Sequence, residues 1–122
     1  MSDLTREYSE LQALARDYLD GMFYADEAKL RSAFHPKCIM FGHYNGRFEE
    51  STVDDFVAEV KGQPIAPGSA YESTIASVEI TGDIAIVKVT DTWAGSRFTD
   101  YLTMAKDNGA WRIINKAFYV HR

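Results

Sequence analysis

Between Phe34 and Gly46 the chain reads FHPKCIMFGHYNG, which places His35, Cys38 and His43 in one short stretch. Imidazole and thiolate are the groups of zinc ligation and of Cys–His nucleophilic catalysis, so their spacing decides whether either chemistry is available. Zinc needs three or four converging ligands, and the stretch has neither CxxC nor HxxxH spacing. If it is a strand, Cys38 and His43 stand on opposite faces, because side chains alternate with period two. No metal site and no Cys–His pair are therefore expected. The chain also lacks GxGxxG, a phosphate-binding loop and GxSxG, so neither a nucleotide cofactor nor a hydrolase elbow has support. It is expected to work without a cofactor.

The elements that would hold any site follow from pattern. Leu4, Tyr8, Leu11, Ala15, Tyr18 and Met22 step alternately by four and three, which predicts one amphipathic helix capped by Ser2 or Asp3 and ending near Phe23. Asp26 is the expected N-cap of a short second helix carrying Leu30 and Phe34, closed before Pro36 with the help of His35. Lys37 to Tyr44 reads as a strand, Asn45-Gly46 as a hairpin turn, and 47–50 as the returning strand. Ser51 with Asp54 resembles a capping box for a third helix bearing Val53, Phe56, Val57 and Val60 and ended by Gly62. After a loop from Gln63 to Ser69, the period changes to two. Four strands are expected near 71–81, 84–94, 97–106 and 110–121, separated by Gly82-Asp83, Gly95-Ser96 and Asp107-Asn108-Gly109.

Helices first and a long meander afterwards predict an α+β fold, with residues 1–122 forming a single domain. A long sheet must twist and curl, and N-terminal helices in its concave face would leave a cavity wherever they fail to fill it. Hydrophobic residues make up 46% of the 122, enough for such a core. A net charge of −5 with no Lys/Arg run speaks against nucleic acid or an anionic membrane as partner. The single cysteine allows no internal disulfide, and no apolar run resembles a signal peptide or a membrane span. A cytoplasmic location is the expectation.

The run Tyr18-Leu-Asp-Gly-Met-Phe-Tyr-Ala-Asp26, then Leu30 through Phe34-His-Pro36, then the closing meander resembles the nuclear transport factor 2-like superfamily (SnoaL- and ketosteroid-isomerase-like) of cystatin-like cones. Phe98-Thr-Asp-Tyr-Leu102, Gly109-Ala-Trp-Arg-Ile113 and Asn115-Lys-Ala-Phe118 are similar to the putative lumazine-binding family within it. The resemblance implies helices in the concave face of a curved, mainly antiparallel sheet. Relatives include ketosteroid isomerases, polyketide cyclases and dehydratases. In the isomerases a tyrosine of the first helix donates to an oxyanion, and Tyr18 falls on that position. The base carboxylate falls on Gly42 and the second, protonated acid on Thr103, so two of three catalytic groups are missing.

The same resemblance sets which side chains face the cavity. Cys38, Met40 and Gly42 are expected inward on the first strand, followed by Val87, Val89, Asp91 and Trp93. Thr99, Tyr101 and Thr103 follow on the next strand, and Ile114, Lys116 and Phe118 on the last. Asp91 and Lys116 could then form an ion pair inside the cone, either as base and electrostatic partner beside Tyr18 or as a self-satisfied salt bridge. The expected ligand site is Tyr18, Met22, Met40, Gly42, Asp91, Trp93, Tyr101, Thr103, Lys116 and Phe118. His121 is expected to be frayed or exposed. The opposite parity places Leu102, Met104, Trp111, Ile113 and Tyr119 on the outer sheet face, and relatives commonly form homodimers there. Three readings remain open. The chain is a binder of a small organic ligand, a cofactor-independent isomerase, cyclase or dehydratase using Asp91, Tyr18 and Lys116, or a dimeric scaffold with a vestigial cavity.

Overall fold

A computed structural model describes residues 3–122; the cap expected at Ser2 lies outside them. Helix α1 spans Asp3–Phe23, α2 Glu27–Ala33 and α3 Val53–Gly62. The strands are β1 Phe34–Tyr44, β2 Arg47–Thr52, β3 Ser73–Thr81, β4 Ile84–Trp93, β5 Ser96–Asp107 and β6 Ala110–His121. The stripe of α1 buries Leu11, Ala15, Tyr18 and Met22, whereas Leu4 stands exposed at its start. Asp26 caps α2 by accepting the Lys29 N–H at 3.1 Å. The box that opens α3 sits one residue later than expected. Thr52 accepts from the Asp55 N–H and Asp55 accepts from the Thr52 N–H, while Ser51 faces the cavity. Among the described residues no helix is long and apolar enough to cross a membrane.

The sheet runs β2-β1-β6-β5-β4-β3. Neighbours are antiparallel except β1 and β6, which lie parallel. The three helices lie against one face of this curved, open sheet, giving the α+β cone. Asn45 and Gly46 both take positive φ, 52° and 80°, as a two-residue hairpin with right-handed strand twist requires.

Two departures from the expected parity reshape both faces. On β5 the inward residues are Phe98, Asp100, Leu102 and Met104, one residue off the expected register. Tyr101 is 47% exposed on the outer face, and Thr103 shares that face. On β6, Ile113 pairs with Met104 and Asn115 with Thr103, so Ile114 is the extra residue of a β-bulge. The bulge reverses parity along one strand. Trp111 and Ile113 face inward before it, Lys116 and Phe118 face inward after it, and Ile114 points out. Leu102, Met104, Trp111 and Ile113 are consequently core residues beneath the helices and not an outer patch. Of that expected set only Tyr119 is exposed, at 58%.

Gly42 is fixed by a close approach. It pairs with Phe118 of the parallel neighbour, and a Cβ on it would stand 2.5 Å from the Phe118 carbonyl oxygen and 2.6 Å from its ring. Substituting Gly42→Ala should lower stability by about 1–3 kcal/mol through overpacking. The readout is the midpoint of denaturant unfolding, and a wild-type midpoint would show that Phe118 yields at no cost.

Candidate functional site

Paired residues of the inner sheet face form rows across the strands. One row sets Met40, Lys116, Leu102 and Val87 side by side, and the next sets Gly42, Phe118, Asp100 and Val89. A third brings Val120, Phe98 and Asp91 together. Lys116, Asp100 and Asp91 therefore run diagonally across three strands, over which α1 lowers Tyr18 and α3 lowers Phe56. The helices leave a small cavity there, of about 40 Å³. Its floor is Tyr18, Met22, Met40, Phe56 and Lys116, and Glu49, Ser51 and Glu59 also border it.

Three buried polar residues share a chain of hydrogen bonds. Lys116 Nζ donates to Tyr18 Oη at 3.1 Å, and Tyr18 donates to Asp100 Oδ2 at 2.6 Å. The ammonium also lies 3.8 Å from the centroid of Phe56 and 5.2 Å from that of Tyr18, within cation–π reach of both. Burial pushes the Lys116 amine down from its ordinary range, opposed by the charges of Asp100 and Asp91. Burial pushes Asp100 up, opposed by Lys116 and by the bond from Tyr18. The Tyr18 hydroxyl is held well above its ordinary range, first by burial and then by the two aspartates. Each group is thus satisfied only through the others.

Asp91 stands apart. It is 2% exposed, yet neither carboxylate oxygen has a hydrogen-bond partner. The ion pair expected with Lys116 does not form, because Lys116 turns to Tyr18 and through it to Asp100. Burial, with a smaller push from Asp100, carries the Asp91 carboxyl up to about 7 against the attraction of Lys116 and Arg97. Two residues on, the Trp93 indole Nε1 is also buried and unpartnered. Among the described residues four buried side-chain polar atoms lack a partner, and Asp91 and Trp93 account for three of them on this one wall. Such orphans are uncommon in a folded protein, and both residues belong to the lining of the cavity.

Of the side chains singled out from sequence, Tyr18, Met22, Met40, Asp91, Trp93, Lys116 and Phe118 line this cavity. Tyr101 and Thr103 do not, since β5 turns them outward. Gly42 does not line it: the Phe118 ring lies over Gly42 and leaves no room for the carboxylate that isomerases place there. Cys38 and His43 are on opposite faces, the thiol buried and pushed up to about 11 by desolvation. His35 is an extended residue of β1, with Nε2 3.1 Å from Asp107. His121 is paired within β6 and exposed, 2.7 Å from Thr99 Oγ1. Asp100 was missed. The alternation Phe98, Leu102, Met104 marks the inward face of β5, and Asp100 lies in that row. The carboxyl that meets Tyr18 is therefore this one, not one at position 103.

The model of the family described as "Putative lumazine-binding" matches residues 6–119. An NTF-2 like protein of unknown function from Silicibacter pomeroyi DSS-3 superposes with a TM-score of 0.92 at 31% identity, over 99% of this chain and 100% of that one. A ketosteroid isomerase-like protein from Erwinia carotovora atroseptica shares the fold with a TM-score of 0.70 at 16% identity, over 93% and 95% of the two chains. Aldolase FrzH from a Cladobotryum species is 26% identical over 115 residues, which are 93% of this chain and 90% of that protein.

The titration of Asp91 has a sign that can be measured. Its folded value, about 7, lies above its ordinary 3.8, so the unfolded chain ionises first as pH rises. Its stabilising contribution is complete below about pH 4 and is lost progressively up to about pH 7. Asp91→Asn removes that loss. The variant should gain nothing over wild type at pH 4 and on the order of 1–3 kcal/mol by pH 8, or roughly 5 °C in Tm. A difference that is the same at both pH values would contradict the assignment.

Proposed function

This chain belongs to the "Putative lumazine-binding" family, and from the cavity we propose that it binds a small, flat carbonyl compound and moves a proton at the carbon beside that carbonyl, without a cofactor. The observation that carries this reading is a buried, unpartnered carboxylate facing the same space as a buried ammonium. Enolisation needs both at once. A base removes the proton while the electron pair moves onto the carbonyl oxygen, where a donor must meet the developing charge.

Asp91 is the proposed base, since its raised carboxyl titrates near neutrality, where a general base combines availability with strength. Lys116 is the proposed donor to the oxygen. Its ammonium gives one bond to Tyr18, which leaves further N–H donors for the cavity. Tyr18, held by Asp100, orients Lys116. Trp93 and Phe118 offer flat apolar surface to the body of the ligand. An aldol reaction begins with this same proton transfer, and the relative named as an aldolase supports the reading without fixing the product.

The test is solvent deuterium uptake at the α-carbon of arylacetaldehydes and aryl alkyl ketones, followed by NMR. Wild type should accelerate exchange with a rate that rises as pH passes through about 7, when Asp91 loses its proton. Asp91→Asn should lose about 100-fold or more, and Lys116→Met should lose activity also. Exchange unaffected by Asp91→Asn, with the fold intact, would sink the proposal and leave a binding role without turnover.

We also infer a homodimer through the outer face of the sheet, on residues of which only Tyr119 was first expected. Ile84, Ile86, Tyr101, Ile114 and Tyr119 are all exposed on β4, β5 and β6, and several such residues on one face favour a partner. Tyr101→Glu should shift sedimentation toward the monomer. A wild-type chain that already sediments as a monomer at tens of micromolar rules the dimer out.

A further inference from the structure

Charge in the cavity is unbalanced. Asp91, Asp100, Glu49 and Glu59 contribute four carboxyl groups to its lining, and Lys116 is the sole cation. Lys116 is hydrogen-bonded at depth to Tyr18 and through it to Asp100, and its one charge balances at most one of the four carboxylates. Glu49 reaches the cavity from β2, half-buried, and Glu59 from α3, on an exposed turn. Neither makes an ion pair or a hydrogen bond among the described residues. Their mutual repulsion adds to the burial that raises the Glu59 carboxyl, while Lys116 opposes it from within.

Around the same space stands a wall of rings. Tyr44 stacks on Phe98 with centroids 6.3 Å apart, and Phe98 is tilted against Trp93 at 6.2 Å and against Phe118 at 6.4 Å. All four rings line the cavity. Ring faces attract a cation, and carboxylates beside them add charge and hydrogen-bond acceptors. An anionic ligand would meet the opposite: a net negative enclosure in a chain whose own charge is −5.

We propose that the ligand carries a protonated aliphatic amine, held between Glu49, Glu59 and the aromatic wall while its flat body enters toward Asp91. This rests on the proposed binding of a small carbonyl compound and adds its second functional group. The unpartnered Asp91 carboxylate and Trp93 indole N–H are the independent sign that something polar enters this space. Without them an acidic rim would be only a solvated edge. Carbonyl at the inner end and ammonium at the outer end make the ligand class an amino aldehyde or amino ketone with an aromatic or similarly flat body.

The experiment uses three probes with one skeleton: phenylpropylamine, phenylpropanol and phenylpropionate. Binding to the wild-type protein is measured at pH 8 and low salt by calorimetry and by quenching of tryptophan fluorescence. The amine should bind about tenfold or more tightly than the alcohol, and the propionate more weakly than either, as charge-assisted contacts predict. In the Glu49→Gln, Glu59→Gln double variant the amine should fall to the level of the alcohol. Both positions are at least partly exposed, so folding is not at stake, and unchanged circular dichroism checks it. An amine that binds no better than the alcohol, or that is not bound at millimolar concentration, overturns the proposal. So does an amine preference that survives the double variant. Failure here is separable from failure of the proton transfer, because the three probes carry no carbonyl and report binding alone, whereas deuterium exchange reports Asp91.

Discussion

The structure turns on one buried chain of hydrogen bonds, from Lys116 to Tyr18 to Asp100. An ammonium and a carboxylate inside a cone are costly unless each has a partner, and here a single phenol serves both. Tyr18 comes from α1, Asp100 from β5 and Lys116 from β6, so one polar contact fixes the helix to the centre of the sheet. The surrounding apolar contacts exclude water, and exclusion of water is what makes the chain of bonds strong. Removing Tyr18 would break both bonds at once. The hydrophobic core and the polar network therefore specify the same arrangement, the consistency across levels expected of a single native state.

The cavity follows from how β1 meets β6. Parallel pairing brings Gly42 against Phe118, and the absent side chain at 42 is the space into which the Phe118 ring settles. That ring is then available as a wall of the cavity and as a neighbour of Lys116, 5.5 Å from its ammonium. The Ile114 bulge performs the complementary task. Before it, β6 supplies Trp111 and Ile113 to the packed end of the cone; after it, the same strand supplies Lys116 and Phe118 to the open end. A regular strand could not have offered both sets to one face.

Much of the fold was legible because its signals are local. The turns at Asn45-Gly46, Gly82 and Asn108-Gly109 announce themselves through residues that tolerate positive φ, and the helical stripe of α1 is read from spacing alone. The orientation of Asp91, Trp93 and Lys116 was also accessible, through the family resemblance. What failed was β5 and the first part of β6. On β5 the apolar row Phe98, Leu102, Met104 holds the true face, but Tyr101 between two threonines offers a competing one, and Asp100 in the apolar row reads as a surface residue. A bulge leaves no mark in a single sequence, since Ile114 is as good a strand residue as its neighbours. The outer patch and the missing acid were consequences of those two errors. The capping box slipped by one for a similar reason: Ser51 and Thr52 are equally good caps by residue type, and in the fold Ser51 lines the cavity while Thr52 bonds Asp55.

Asp91 shows why such a fold keeps a polar group that its own contacts do not satisfy. Its carboxyl lies in reach of the fields of Asp100 and Lys116 but in hydrogen-bond contact with neither, so its protonation follows what occupies the cavity. With the cavity empty, the carboxyl changes its charge near pH 7. A cation or a hydrogen-bond donor brought close would favour the carboxylate, by the same attraction that Lys116 exerts more weakly from a distance. Binding and ionisation are then one linked equilibrium: a ligand that prefers the ionised form lowers the carboxyl's pKa by as much as the carboxylate strengthens its binding. A fully paired Asp91 would make the apo protein more stable and would remove that coupling. The orphaned carboxylate is therefore a local loss of stability, kept where a ligand can reverse it.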